Sequence, residues 1–215
     1  MTRPAAAAPR RAVGRPTAGE DLRAVLVAAT LRLLEQTGDP AAVTVAGIVA
    51  EAGCTPPTLY HYWPRRELLL REASALGFKR FRRSQASAAA PAGDPLDRIR
   101  RRGQAYLDFA LSQPSLFRVL FLDRPVPGHP PADAENPGQG LADLAADVSA
   151  AMTASQLAPE DPLGVAVGLW AGVHGIAALW VATPELPHAL ARSVAAKQTA
   201  ALLTGYGYTP TRTGG

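Results

Sequence analysis

Two sets of side chains in this sequence carry types and spacings that could do chemistry. The first lies within Thr44 to Arg66, TVAGIVAEAGCTPPTLYHYWPRR: Thr44, Val45, Thr55, Pro56, Pro57, Thr58, Tyr60, His61 and Arg66. Small, hydroxylated and aromatic groups with one closing arginine suit recognition rather than bond making. Threonine and apolar atoms can meet base edges in the DNA major groove, while tyrosine and arginine meet phosphate. A small bundle whose tyrosines only cover a core is the other reading of the same residues. The second set is Tyr106, Phe109, Phe117, Phe121, Trp170 and His174. Trp170 and His174 are four apart and project from one side of a helix. They could line an apolar ligand cavity with the imidazole as polar anchor. They could equally fill a core, the histidine satisfied by a backbone carbonyl. Catalysis finds little support. His61, His129, His174 and His188 show no metal-ligand spacing, and no GxSxG, P-loop or GxGxxG follows a strand-like run. The expectation is no enzyme, no cofactor and no metal, with an all-helical enzyme as a distant rival.

The first set needs two short helices joined by a tight turn. Thr44 can cap a helix whose apolar positions Val45, Ile48, Val49 and Ala52 recur at helical spacing, and Gly53 can end it in left-handed backbone. Thr55 offers its hydroxyl as the next cap, and Pro56 suits a first helical turn. Pro64 biases Trp63 away from helical geometry, so the second helix is short and a third opens at Arg65. Leu59 and Trp63, four apart, face inward.

This stretch resembles the helix-turn-helix of the TetR family of transcriptional regulators. The residues that carry the likeness are Ile48, Ala52-Gly53, Thr55, Thr58-Leu59-Tyr60, Trp63, Arg66 and Glu67. The chain departs from the common family pattern at Pro57, where glycine is usual, at Arg66, where a phosphate-binding lysine is usual, and at Ala46 and Val49. The resemblance implies binding to double-stranded DNA at a palindromic operator, a homodimer, and a cytoplasmic protein.

Composition agrees with a DNA-binding head on a helical body. The 215 residues are 47% hydrophobic and carry a formal charge of +4. Residues 1–83 hold 13 Arg and Lys against 7 Asp and Glu; residues 84–215 hold 9 against 11, so the basic half is the half with the two short helices. The single cysteine, Cys54, forbids an intrachain disulfide and suits a reducing compartment. It reads as a small buried hydrophobe rather than a redox sensor.

The chain divides into a disordered basic arm at 1–19, a helix-turn-helix domain at 20–66, a connecting helix and linker at 67–92, a helical effector-binding and dimerisation domain at 93–205, and a tail at 206–215. The first helix spans Glu20 to Gln36, with an inward stripe of Leu22, Val25, Leu26, Ala29 and Leu33. The connecting helix ends in the basic cluster Lys79, Arg80, Arg82 and Arg83, and Ala-Pro-Ala-Gly-Asp-Pro at 90–95 marks the domain boundary. In the body, helices are expected at Asp94–Gln113, Pro114–Leu122, Leu141–Leu157, Leu163–Thr183 and Pro187–Leu203, with a long surface loop at 123–139.

Leu163–Thr183 contains no Asp, Glu, Lys or Arg and is long enough to span a membrane. Flanking basic residues and interfacial aromatics are absent, which favours a buried helix. Gly164, Gly168, Gly172 and Gly175 fall on one face and would let another helix approach closely, a symmetric partner being the candidate. Trp170 with His174-Gly175 also resembles the C-terminal domain of one TetR subgroup marked by a Trp and a His-Gly pair. The combined reading is an all-α homodimeric repressor, with a three-helix DNA-binding head and a larger body that binds a small, largely apolar effector. A DNA-binding regulator without an effector is the nearer alternative.

Overall fold

In the computed structural model of the chain, residues 21–122 and 139–208 are described. The readings for the basic arm, for most of the 123–139 loop and His129, and for the last residues of the tail lie outside them. Among the described residues the fold is all helical, without a strand, as the sequence predicts.

The head begins with α1 (Leu22–Thr37), α2 (Val45–Ala52) and α3 (Pro56–Tyr62). Asp21 caps α1 by accepting the amide of Arg23 at 3.0 Å, and Gly38 ends it in left-handed backbone at φ 63°. Of the expected stripe, Leu26 and Ala29 are fully buried, as are Thr30, Leu31 and Leu34, while Leu22, Val25 and Leu33 are only half-buried. The reason is that α1 is covered from two sides, by α2 and by the fourth helix, so its apolar stripe is broader than a single face. Thr44 caps α2 as expected, accepting the amide of Gly47 at 3.1 Å, and Gly53 turns the chain at φ 68°. Ile48 and Leu59 are wholly buried and Trp63 nearly so.

α4 (Arg66–Ala89) starts one residue later than expected, because Arg65 is extended at φ −142°, ψ 143°. It runs past the basic cluster, which is therefore mid-helix. Arg80 reaches back to Glu35 of α1 at 3.0 Å. α4 then turns at 90–94 and lies against α5 (Pro95–Ser112). The residue 90–95 break is thus a helix hairpin, and one apolar core runs across it, from Leu26 and Trp63 in the head through Phe81 to Tyr106 and Trp180.

The body continues with α6 (Pro114–Phe117), whose last turn widens into a π-helical turn over Arg118–Leu122, then α7 (Gln139–Thr153), α8 (Pro162–Ala182) and α9 (His188–Gly205). A second core gathers Leu96, Ile99, Val148, Leu157, Val165 and Leu203. Asp161 caps α8, accepting the amides of Leu163 at 3.3 Å and Gly164 at 2.9 Å.

Two expectations are corrected here. The glycine face of α8 does not wait for a partner at Gly168 and Gly172: a β-carbon on Gly168 would stand 2.5 Å from the Tyr206 hydroxyl, and one on Gly172 would stand 3.2 Å from Gln198 and Leu202. Gly172 admits α9 of the same chain and Gly168 admits Tyr206 just past its end, so the chain itself occupies the space first. Gly175, by contrast, has open space where its β-carbon would be. The start of the tail, by contrast with its name, is held against the body through Tyr206 and Tyr208. The Tyr206 carbonyl accepts the amide of Ala158 at 2.9 Å, and Tyr208 sits under the Arg100 guanidinium at 5.1 Å.

Candidate nucleic-acid interface and effector cavity

The two short helices hold their recognition candidates on one exposed surface. Pro56 and Pro57 stand at the open first turn of α3, followed by half-buried Thr58 and exposed Tyr60 and His61. Tyr60 is half exposed at 50%. Buried Leu59 and Trp63 face the other way and fix the helix to the bundle. The Thr55 hydroxyl does not cap α3 as expected. It pairs with the Thr58 hydroxyl at 3.0 Å, since Thr58 stands one turn away on the same side. Thr44 is exposed and Val45 half-buried at the start of α2, beside this surface.

Trp63 is the anchor behind the surface. Its indole N–H donates to Glu72 Oε2 at 2.9 Å, and Arg23 of α1 donates to the same oxygen at 2.8 Å while lying 5.5 Å from the indole ring. One carboxylate on α4 therefore ties the end of α3 to the start of α1. Arg66 faces differently from the family's phosphate-binding role: its guanidinium donates to the carbonyls of Val43 at 2.8 Å and Pro40 at 3.4 Å. In this structure it clamps the loop that delivers Thr44. Cys54 is half-buried against the core, and burial raises its thiol pKa, so it is a packing residue rather than an activated thiolate.

The second set is split by the structure. A cavity of about 250 Å³ opens between α4, α5, α7 and α8, with the π-helical turn and α9 each adding a residue to its wall. Tyr106, Phe121 and Trp170 line it. Phe109, Phe117 and His174 do not; they stand behind its wall. Phe109 packs edge-on to Phe81 at 5.0 Å, and Phe117 is wholly buried against Phe121 at 4.9 Å. His174 Nδ1 meets the Tyr106 hydroxyl at 2.7 Å, so the imidazole anchors a lining residue. Burial pushes the Tyr106 hydroxyl up and the His174 imidazole down, which keeps both neutral near pH 7.

Sequence reading missed the contribution of α4. Phe78, Phe81, Arg82 and Gln85 line the cavity from that helix. Their spacing of three, one and three puts them on one side of it, a helical pattern that was visible but looked like core and basic surface. Arg102 of α5 is a further lining residue, bonded through Nε to Asp147 at 2.6 Å.

Two family models match this chain. Residues 26–73 match that of bacterial regulatory proteins of the tetR family, and residues 99–203 match the tetracyclin repressor-like C-terminal domain. The chain belongs to the TetR family. It is a DNA-binding transcriptional regulator, and its family are transcription regulators rather than enzymes. No curated protein matches its sequence. Solved structures share the fold. A protein of unknown function from Rhodococcus sp. RHA1 has a TM-score of 0.75 at 23% identity, covering 90% of this chain and 99% of its own. A TetR transcription regulator from Haloarcula marismortui gives 0.69 at 20%, covering 85% and 98%. The fatty acid degradation regulator FadR from Bacillus halodurans gives 0.67 at 14%, covering 85% and 98%.

Proposed function

We propose that this TetR-family regulator is a homodimeric repressor in the cytoplasm, released from a palindromic operator by a small, largely apolar effector. The observation that carries the reading is the double use of α4. Its first turns hold the head, through Arg66 and Glu72, and its later turns form a wall of the cavity, through Phe78 and Phe81. A ligand that fills the cavity therefore acts on the same helix that sets the angle of α3. Filling need only favour one of two arrangements of the dimer to change operator affinity.

The dimer is supported by apolar side chains on α8 that the described residues leave uncovered. Leu163, Val167, Trp170 and Leu179 are 52%, 41%, 38% and 52% exposed, and Leu190 and Val194 of α9 are 47% and 38% exposed. A charge-free helix face of this size suits a symmetric partner. α8 also passes the length and composition criterion for a membrane span, with 39% of its most apolar window buried. Its packing against α5, α7 and α9 supports the dimer face instead.

Exposed Pro57 and Tyr60 and half-buried Thr58 are the proposed base and phosphate contacts, with Thr44, Val45, Thr55, Pro56 and His61 around them. Arg66 acts as a positioning residue. The effector reading is tested with Gly103→Leu. Gly103 lines the cavity and has open space beside its Cα, so leucine should occupy the cavity without disturbing the fold. In a thermal-shift screen of small apolar compounds, those that raise Tm should also release operator DNA, and Gly103→Leu should abolish both effects. Compounds that stabilise the protein yet leave DNA binding unchanged would remove the effector from the account.

A further inference from the structure

We infer that the cavity takes a small carboxylate, its charge met by Arg82 and its aromatic or alkyl body held by the surrounding rings; this rests on reading the cavity as the effector site. Arg82 lines the cavity, yet among the described residues no carboxylate or carbonyl accepts from its guanidinium, and its Nε is buried without a partner. Among the described residues Arg65, Arg71, Arg83, Arg100 and Arg118 also have no carboxylate partner, but only Arg82 keeps a guanidinium nitrogen buried without a hydrogen-bond partner. The paired arginines lie in ion pairs. Arg23, Arg32, Arg80, Arg101 and Arg192 each have a carboxylate within 3.0 Å. A partly desolvated cation without a counter-charge is costly, and native interiors rarely leave one unmatched.

Among the described residues the cavity wall offers no protein carboxylate to Arg82. Its lining has no Asp or Glu, and the buried carboxylate among those residues, Asp147, is already paired: Oδ1 accepts from Arg98 at 2.7 Å and Oδ2 from Arg102 at 2.6 Å. Gln85, one turn along α4 on the same wall, adds an amide donor. One unmatched guanidinium calls for one negative charge, and the planar fork of arginine fits a carboxylate. Phe78, Phe81, Tyr106, Phe121 and Trp170 supply aromatic surface for the remainder of the ligand. The volume of about 250 Å³ lies just below the usual range of small-molecule sites, so that remainder is small.

The test is calorimetric titration of the full chain with ω-phenylalkanoates, phenylacetate through 6-phenylhexanoate, and with their primary amides. The wild type should bind its best acid about tenfold to a hundredfold more tightly than the matching amide, the range expected for a charged hydrogen bond. Arg82→Met should erase that preference while keeping the amide affinity, and should raise the Tm of the ligand-free protein by removing the unmatched donor. Equal binding of acid and amide by the wild type, or a preference that survives in Arg82→Met, would overturn the carboxylate and leave the effector cavity standing. If no acid or amide of the series binds, and Gly103→Leu alters no compound's effect in the thermal-shift screen, both readings fall together.

Discussion

At the residue scale, the two threonines of the turn make a sharp prediction. Because the Thr55 and Thr58 hydroxyls are bonded at 3.0 Å, Thr55 fixes the direction in which Thr58 can present its hydroxyl to a base. Thr55→Ala and Thr58→Ala should therefore relax preference at the same operator position, each by about 1–3 kcal/mol of discrimination. Competition binding against single-base operator variants reads this directly, and effects at separate positions would contradict it. Arg66 divides two roles cleanly. As the clamp on Val43 and Pro40, Arg66→Ala should cost about 1.5 kcal/mol of stability and weaken operator binding without changing its salt dependence. A phosphate contact would instead make the log-log salt slope shallower by about 0.9. His174 supplies a pH dependence. Its folded pKa is depressed below 6.5 by burial, so the unfolded chain binds the proton more readily. Stability should be fully present above that value and fall as pH drops below it. Melting curves between pH 7.5 and 5 should show the decline, and His174→Asn should flatten it. Sequence spacing placed Trp170 and His174 on one side of α8. It could not show that Tyr106, 68 residues earlier, would take the imidazole as its partner.

At the element scale, the boundaries and caps of the head were legible because they are local. Thr44, Gly53, Pro56 and Pro64 each act on the backbone beside them. The roles of α8 and α4 were less legible because they depend on which helix arrives as neighbour. A run of glycines says that something approaches closely, and only the fold says that α9 of the same chain does so at Gly172 and Tyr206, just beyond it, at Gly168. That distinction is measurable. Gly172→Leu should overpack the α8–α9 contact within each chain and cost about 1–3 kcal/mol, lowering Tm at every protein concentration. Gly175→Leu has open space within the chain and lies on the exposed face, so it should leave the subunit folded and change dimer dissociation instead. Sedimentation equilibrium beside thermal melting separates the two. A Gly172→Leu protein with unchanged melting but a dissociated dimer would return that glycine to the subunit seam.

At the scale of the whole molecule, the head and body share one core through α4 and α5, which is why the break at residues 90–95 separates sequence composition more sharply than it separates structure. The fold class, the helix-turn-helix and the uneven charge were all readable from residue order. The cavity was not, since its wall draws on six elements spread from α4 to α9. The central claim is that two copies of this chain present α3 to successive major grooves from a dimer built on α8 and α9. Selection of binding sites from random duplex DNA, with the bound stoichiometry measured on the winning sequence, tests it most directly. The account predicts an inverted repeat occupied by two chains, with half-sites about 34 Å or 10 base pairs apart, or a multiple of that spacing. A single half-site bound by one chain, or no sequence preference at any salt concentration, would contradict it.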